Sequence, residues 1–178
     1  LAMYEQISNY LADNPEVHLA FQPGVFDMKQ GKEKLSFVYS KASAICVNVE
    51  EAQKILGESS RDIKTLLRSM ASLGPKIVLI TDGFEGAYGF DTSKPEEFWF
   101  MPIYPHTPIE RTGAGDAFFS TVVTCLSLGK TLSEALTWGP INSQSVVQQV
   151  GAQKGLLHRE KLEEFLKNAP DNYKLKQI

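Results

Sequence analysis

Cysteine is nearly absent from this sequence: two residues in 178, Cys46 and Cys125. They share no C-x-x-C spacing, and each sits in an apolar run. Both are expected as small buried hydrophobes, without a disulfide between them. Histidine is almost as scarce. His18, His106 and His158 have no ligand-like spacing, so no zinc site is expected. Positive charge is not in excess either. Lys and Arg number 18 against 21 Asp and Glu, a formal net charge of −3, which leaves no basic field for nucleic acid or an anionic membrane. No apolar run approaches the roughly 20 residues of a membrane helix. Internal repeats and low-complexity segments are missing. No secretory leader pattern opens the chain, and a cytoplasmic location is expected.

What is present reads as one α/β domain over residues 1–178. Apolar residues make up 43% and charged residues 22%, ordinary values for a globular protein. The chain opens with Leu1, Tyr4, Ile7 and Leu11 on one helical face. A sheet-packing helix with no strand before it suggests an excerpt of a longer chain or a processed one. Val17 to Phe21 reads as a short strand, broken at Gln22-Pro23-Gly24. A helical pattern follows around Leu35, Val38 and Tyr39, then a buried strand, Ala44 to Val47. The next helix runs from Val49 to about Leu56 and stops at Gly57. Ile63 to Leu73 is amphipathic and helical, and Ile77 to Thr81 has the continuous β-branched look of a central parallel strand.

Two strands, Ala87 to Phe90 and Phe98 to Ile103, are expected to pair antiparallel across a polar turn. Behind a proline-rich connector come helices over about Asp116 to Leu128, Leu132 to Val150 and Arg159 to Lys167. The tail, Asp171 to Ile178, is polar and expected to fray. Alternating strands and helices imply a sheet covered on both faces, with ligands at the carboxyl ends of its strands.

Three segments carry chemistry. The first is Gly113-Ala114-Gly115-Asp116 ahead of an apolar helix. Small residues expose the backbone, and a helix N-terminus offers unpaired N–H groups to an anion. Asp116 is either a helix cap or a general base beside that anion site. The second is Asn48-Val49-Glu50-Glu51, directly after a strand. It fits a capping box, and it equally fits a sparse carboxylate–amide pair around hydrated Mg²⁺; both can hold at once. The third is Thr81-Asp82-Gly83-Phe84-Glu85-Gly86, a turn at the end of the central strand, where a nucleotide-contacting loop would lie. Gly129-Lys130-Thr131 carries the tail of a P-loop, but Thr124 stands where the first glycine is required and no strand precedes it. It reads as a helix-to-helix turn.

In this order the three segments resemble the ribokinase-like family of ATP-dependent sugar and nucleoside kinases, over about Phe21 to Leu166. Phe21-Gln22-Pro23-Gly24 is similar to a segment that often reads Asn-Pro-Gly, and Gly151-Ala152-Gln153 to the loop closing the adenine site. The resemblance implies a three-layer α-β-α ribokinase-like sheet whose N-terminal part, with the lid and most acceptor contacts, is missing. It implies Asp116 as the base, with Gly113, Ala114 and Gly115 lining the anion hole. Asn48 and Glu51 would hold hydrated Mg²⁺, and Thr81, Gly83, Gly86 and Asn142 would border ATP. Glu110-Arg111 stands where the family has Asp-Thr. Glu110 therefore takes the place of a monovalent-cation (K⁺) ligand, and Arg111 offers a fixed charge instead.

The function implied is transfer of the ATP γ-phosphate to a hydroxyl of a sugar or nucleoside. The alternatives are a non-catalytic nucleotide-binding or scaffold module and a vitamin-precursor kinase of the same fold. The expected partners are the small-molecule acceptor and either the missing N-terminal segment or further copies of the chain, with no nucleic acid and no membrane.

Overall fold

A computed structural model describes residues 2–178. Leu1 of the expected opening helix lies outside the described residues. The strands follow the order β1-β2-β3-β4-β5-β6 in one six-stranded sheet. They are β1 (Leu19–Phe21), β2 (Ala42–Asn48), β3 (Ile77–Thr81), β4 (Ala87–Asp91), β5 (Phe98–Met101) and β6 (Lys176–Gln177). The chain divides into two compact units. One holds the chain up to Thr81 together with Phe90–Phe98, and the other holds Asp82–Gly89 and Trp99–Ile178.

The first unit is parallel α/β. Its strands β1, β2 and β3 pair in parallel, with Phe21 opposite Ile45 and Ala44 through Asn48 opposite Ile77 through Thr81. Parallel strands buried on both faces need unbroken apolar runs, and Ile45, Cys46, Val47, Val78, Leu79 and Ile80 are at most 1% exposed. Helix α4 (Val49–Leu56) begins where β2 ends, and α5 (Ile63–Ala71) packs against α4 and β3. Gly57, in the left-handed region, closes α4. Helix α1 (Ala2–Asp13) packs on α3 (Ser36–Lys41).

Two details differ from the sequence reading here. Strand β1 begins at Leu19, not Val17, because the Val17 N–H is drawn back to Asn14 O at 3.0 Å in the turn leaving α1. An unforeseen helix, α2 (Val25–Gln30), starts directly after the Pro23-Gly24 break. Its Asp27 carboxylate accepts from the Gly24 N–H at 2.8 Å and from the Tyr4 hydroxyl at 2.7 Å, and these bonds satisfy a buried charge. Burial, and then the Asp27 carboxylate beside it, push the Tyr4 hydroxyl up to about 12.

The second unit joins antiparallel strands to a helical layer. Phe90 stacks on Phe98 at 4.7 Å within the first unit, and Tyr88 meets Phe100 at 5.1 Å within the second. The partners advance in opposite directions along β4 and β5, which is the expected antiparallel pairing. Strand β5 ends at Met101 because Pro102 has no N–H to give the ladder. Helix α6 (Ala114–Ser127) lies along α7 (Leu132–Val147), and α8 (Arg159–Lys167) packs on α7. Thr131 caps α7 with the reciprocal Thr131–Glu134 box. The tail does not fray: Lys176 and Gln177 pair antiparallel with Phe100 and Trp99. Tyr173 is 6% exposed and donates to Thr137 O at 2.6 Å, which anchors the segment. Cys46 and Cys125 are both buried. No helix among the described residues is long and apolar enough to cross a membrane.

Candidate active site

In the first unit the carboxyl ends of β2 and β3 place two candidate residues side by side, since Asn48 is the register partner of Thr81. Asn48 also caps α4. Its Oδ1 accepts from the Glu51 N–H at 2.8 Å, and Glu51 Oε2 accepts from the Asn48 N–H at 2.9 Å. The capping box therefore exists, and it consumes one carboxylate oxygen, leaving Oε1 outside it. Both residues are partly buried at the strand ends. Among the described residues no group of three or more His, Cys, Asp or Glu is placed to hold a metal. A hard carboxylate oxygen with a neighbouring amide fits Mg²⁺, which retains most of its waters and needs few protein ligands.

In the second unit the polar turn after β3 is closed by Asp82 N–H donating to Gly86 O and Glu85 N–H donating to Asp82 O, each at 2.9 Å. Gly83 and Phe84 at its tip line a cavity of about 130 Å³, with His106, Arg111, Ala114 and Ser143. The Arg111 guanidinium lies 4.6 Å from the Phe84 ring centre, a cation–π contact on the cavity wall. His106 Nδ1 donates to Tyr104 O at 2.6 Å, which fixes its ring.

Helix α6 begins two residues earlier than its apolar pattern suggests, at Ala114, with Gly113 at its N-cap. Asp116 is thus the third helical residue and not the cap, and no side chain caps this helix. The capping role does not apply to Asp116. The first N–H groups of a helix have no intrahelical acceptor. Ala114 N–H reaches Arg111 O at 3.3 Å and Ala117 N–H reaches Gly113 O at 2.9 Å. The N–H groups of Gly115 and Asp116 between them are the ones open to an anion, and the Asp116 side chain is exposed beside them.

The turn before α6 is pinned in place. Ile109 and Glu110 N–H groups both donate to Val147 O, at 2.8 and 3.1 Å. The Glu110 carboxylate accepts from the Gly151 N–H at 2.9 Å. The Thr112 hydroxyl and then that amide hold the Glu110 carboxyl below the usual range. Gly113, at φ 84°, lies against Ala152. Segments 110–113 and 151–153 form one bonded corner next to the start of α6.

Of the expected nucleotide residues, Gly83 lines the cavity together with Ala114 of the expected anion hole, and Gly86 closes the turn behind it. Asn142 faces elsewhere. It is 6% exposed, donates to Thr121 Oγ1 at 2.8 Å and accepts from the Leu157 N–H at 2.9 Å. Its neighbour Ser143 and, one turn on, Val147 line the cavity instead. Ser143 and His106 lay outside the site read from the sequence, and Phe84 entered it only as part of the turn. Helical phase was the available signal, because Ser143 and Val147 share a face that Asn142 does not.

Comparison with known proteins places this geometry. Residues 2–159 match the pfkB family carbohydrate kinase. The chain belongs to that family. It is 31% identical over 120 residues to the cytidine kinase of Thermococcus kodakarensis, a match spanning 67% of this chain and 42% of the relative. It is 30% identical over 122 residues to the ATP-dependent 6-phosphofructokinase of Thermoanaerobacterium thermosaccharolyticum, spanning 68% and 36%. Among solved structures, Arabidopsis thaliana ribokinase complexed with ribose and ATP superposes with a TM-score of 0.80 at 22% identity, covering 93% of this chain and 52% of that one. A ribokinase II from E. coli in complex with ATP and Mg²⁺ gives 0.76 at 20% identity, covering 89% and 51%. The fold is therefore the ribokinase-like α/β fold, and the chain spans about half the length of these structures.

Proposed function

We propose that this chain carries the nucleotide-binding and proton-accepting part of a kinase that phosphorylates a hydroxyl of a sugar or nucleoside from ATP. The observation that carries the reading is the start of α6: uncapped N–H groups at Gly115 and Asp116, an exposed Asp116 carboxylate free of capping, and Ala114 on the wall of the Gly83 cavity. That cavity is well below the roughly 300–1,000 Å³ of a complete small-molecule site. It suits the base ring of a nucleotide alone. The cytidine kinase and phosphofructokinase relatives support an alcohol acceptor of this class.

In the reaction Asp116 takes the proton of the acceptor hydroxyl. The acceptor oxygen forms a bond to the γ-phosphorus as the bond to the β-phosphate oxygen breaks, and ADP leaves. The Gly115 and Asp116 N–H groups meet the charge on the transferring group's oxygens, the positioning and electrostatic work that phosphoryl transfer needs. Glu51 and Asn48 would hold hydrated Mg²⁺, which when bound neutralises phosphate charge. A further positive charge would come from K⁺ held at Glu110 or from Arg111, and a potassium titration of turnover separates the two.

Asp116→Asn tests the reading in the intact enzyme. General-base catalysis is worth about 10²–10⁴-fold, so kcat should fall by that range. No capping bond is lost, so the melting temperature should hold, and ATP affinity should survive because the backbone amides remain. Near-native kcat would return the chain to the non-catalytic nucleotide-binding reading.

A further inference from the structure

The second unit holds a larger cavity, of about 380 Å³, between α6, α7 and the start of α8. That size lies within the roughly 300–1,000 Å³ of small-molecule sites. Apart from Asn142, whose side chain turns to it, none of its lining residues enters the site above.

Its walls are apolar: Trp138, Leu157 and Leu162 inside, with Leu128 and Leu156 at the rim, 62% and 46% exposed. Its polar floor is closed. The Thr121 hydroxyl donates to Ala117 O and accepts from Asn142 Nδ2, and Asn142 Oδ1 is taken by the Leu157 N–H. A neutral polar ligand therefore finds no strong partner there.

Its charges have one sign. Lys130 and Arg159 line the cavity, and no acidic residue does among the described lining residues. Lys130 Nζ lies 4.9 Å from the Trp138 ring centre, and its charge also reaches the Glu134 carboxylate in the first turn of α7. Arg159 is already paired with Glu163 at 2.8 Å, so Lys130 is the freer cation. Burial pushes the Cys125 thiol in the cavity wall up, Lys130 and Arg159 pull it down, and Glu134 adds a smaller upward push. An apolar chamber with a cation at its mouth selects a ligand with an apolar body and one negative end.

We propose that this cavity binds a small amphiphilic carboxylate, its apolar body against Trp138, Leu156 and Leu162 and its carboxylate on Lys130 Nζ. The probes are octanoate, the neutral 1-octanol and the cationic octylamine. The chain has two tryptophans, so Trp99→Phe leaves Trp138 as the sole reporter. Octanoate should shift Trp138 emission saturably, with 1-octanol about tenfold weaker and octylamine weaker still, the worth of one charge-assisted hydrogen bond. Lys130→Met should cost octanoate about tenfold and leave 1-octanol unchanged, whereas Arg159→Met, already paired and exposed, should cost less. Thr124→Phe, which fills the chamber from an exposed position, should abolish binding of both. Calorimetry on the unaltered chain should return the same ranking of probes, independently of how any variant folds. Equal affinity for octanoate and 1-octanol, indifference to Lys130→Met, undiminished binding in Thr124→Phe, or no saturation below the micelle concentration would each overturn the proposal.

Discussion

Gly113→Ala separates two reasons for a glycine at the corner ahead of α6. The first is conformational: at φ 84° an alanine costs about 1–2 kcal/mol. The second is space. A Cβ at Gly113 would lie 2.6 Å from Ala152 O, 2.8 Å from Ala152 Cα and 2.9 Å from its Cβ, far inside ordinary contact. Two of these atoms are backbone, so relief requires segment 151–153 to move, an overpacking cost of about 1–3 kcal/mol. The sum is about 2–5 kcal/mol. Gly129→Ala is the control, because Gly129 has nearly the same φ, 81°, with nothing within 4 Å of the added Cβ. It should cost only the conformational part. In a chain of this length each kcal/mol moves the melting temperature by about 2–4 °C. Gly113→Ala should therefore melt about 2–12 °C below Gly129→Ala. Only Gly113→Ala should weaken ATP binding, since only it displaces the 151–153 corner. Equal melting temperatures in the two variants would refute the contact argument, and unchanged ATP affinity would detach the corner from the nucleotide.

Glu51→Gln keeps an acceptor for the Asn48 N–H and removes the charge. The Mg²⁺ concentration for half-maximal turnover should rise while the melting temperature changes little; an unchanged magnesium titration with lost stability would leave Glu51 with its cap alone. Tyr4 contributes to an alkaline limit shared with Tyr39 and Tyr173, whose hydroxyls burial also raises. The Tyr4 hydroxyl is raised from 10.0 to about 12 in the folded state, so its contribution is complete below pH 10 and is lost as pH rises through about 12. Urea midpoints should fall over that window, and Tyr4→Phe should start lower, for want of the bond to Asp27, and fall less steeply; parallel profiles would exclude Tyr4 as a contributor.

The elements legible in the sequence are those whose signals are local. Val49–Leu56 and Ile77–Thr81 begin and end where a cap, a glycine and a β-branched run place them. Helix α2 was not legible because Pro23-Gly24 reads as a stop, and Val25 and Phe26 are exposed, which spoils any amphipathic period. Gly24 and Asp27 close its first turn, and the second partner of that carboxylate is Tyr4, distant in sequence. Strand β6 has no strand composition at all; Lys176 and Gln177 are extended because β5 offers them an edge. The site divides in the same way. Gly-Ala-Gly-Asp is legible because the start of a helix, with the anion hole proposed there, is a local object. Ser143 is not, because choosing it over Asn142 needs the rotational phase of α7.

The proposed anion hole is made of backbone, so no side-chain deletion at Gly115 or Asp116 removes it. Only displacement of the corner that sets the start of α6 can do so, and Gly113→Ala is the substitution that does it. Asp116→Asn acts on the other half, leaving the amides and removing the proton acceptor. The two variants should therefore fail in different parameters, Gly113→Ala in ATP affinity and Asp116→Asn in kcat. If Asp116 were a structural residue, the two would converge on a loss of stability. If it were instead a further phosphate contact, Asp116→Asn would alter ATP affinity as well. A drop in kcat at constant ATP affinity and constant melting temperature fits neither alternative, because it requires a group that acts after the nucleotide is bound and before the product leaves.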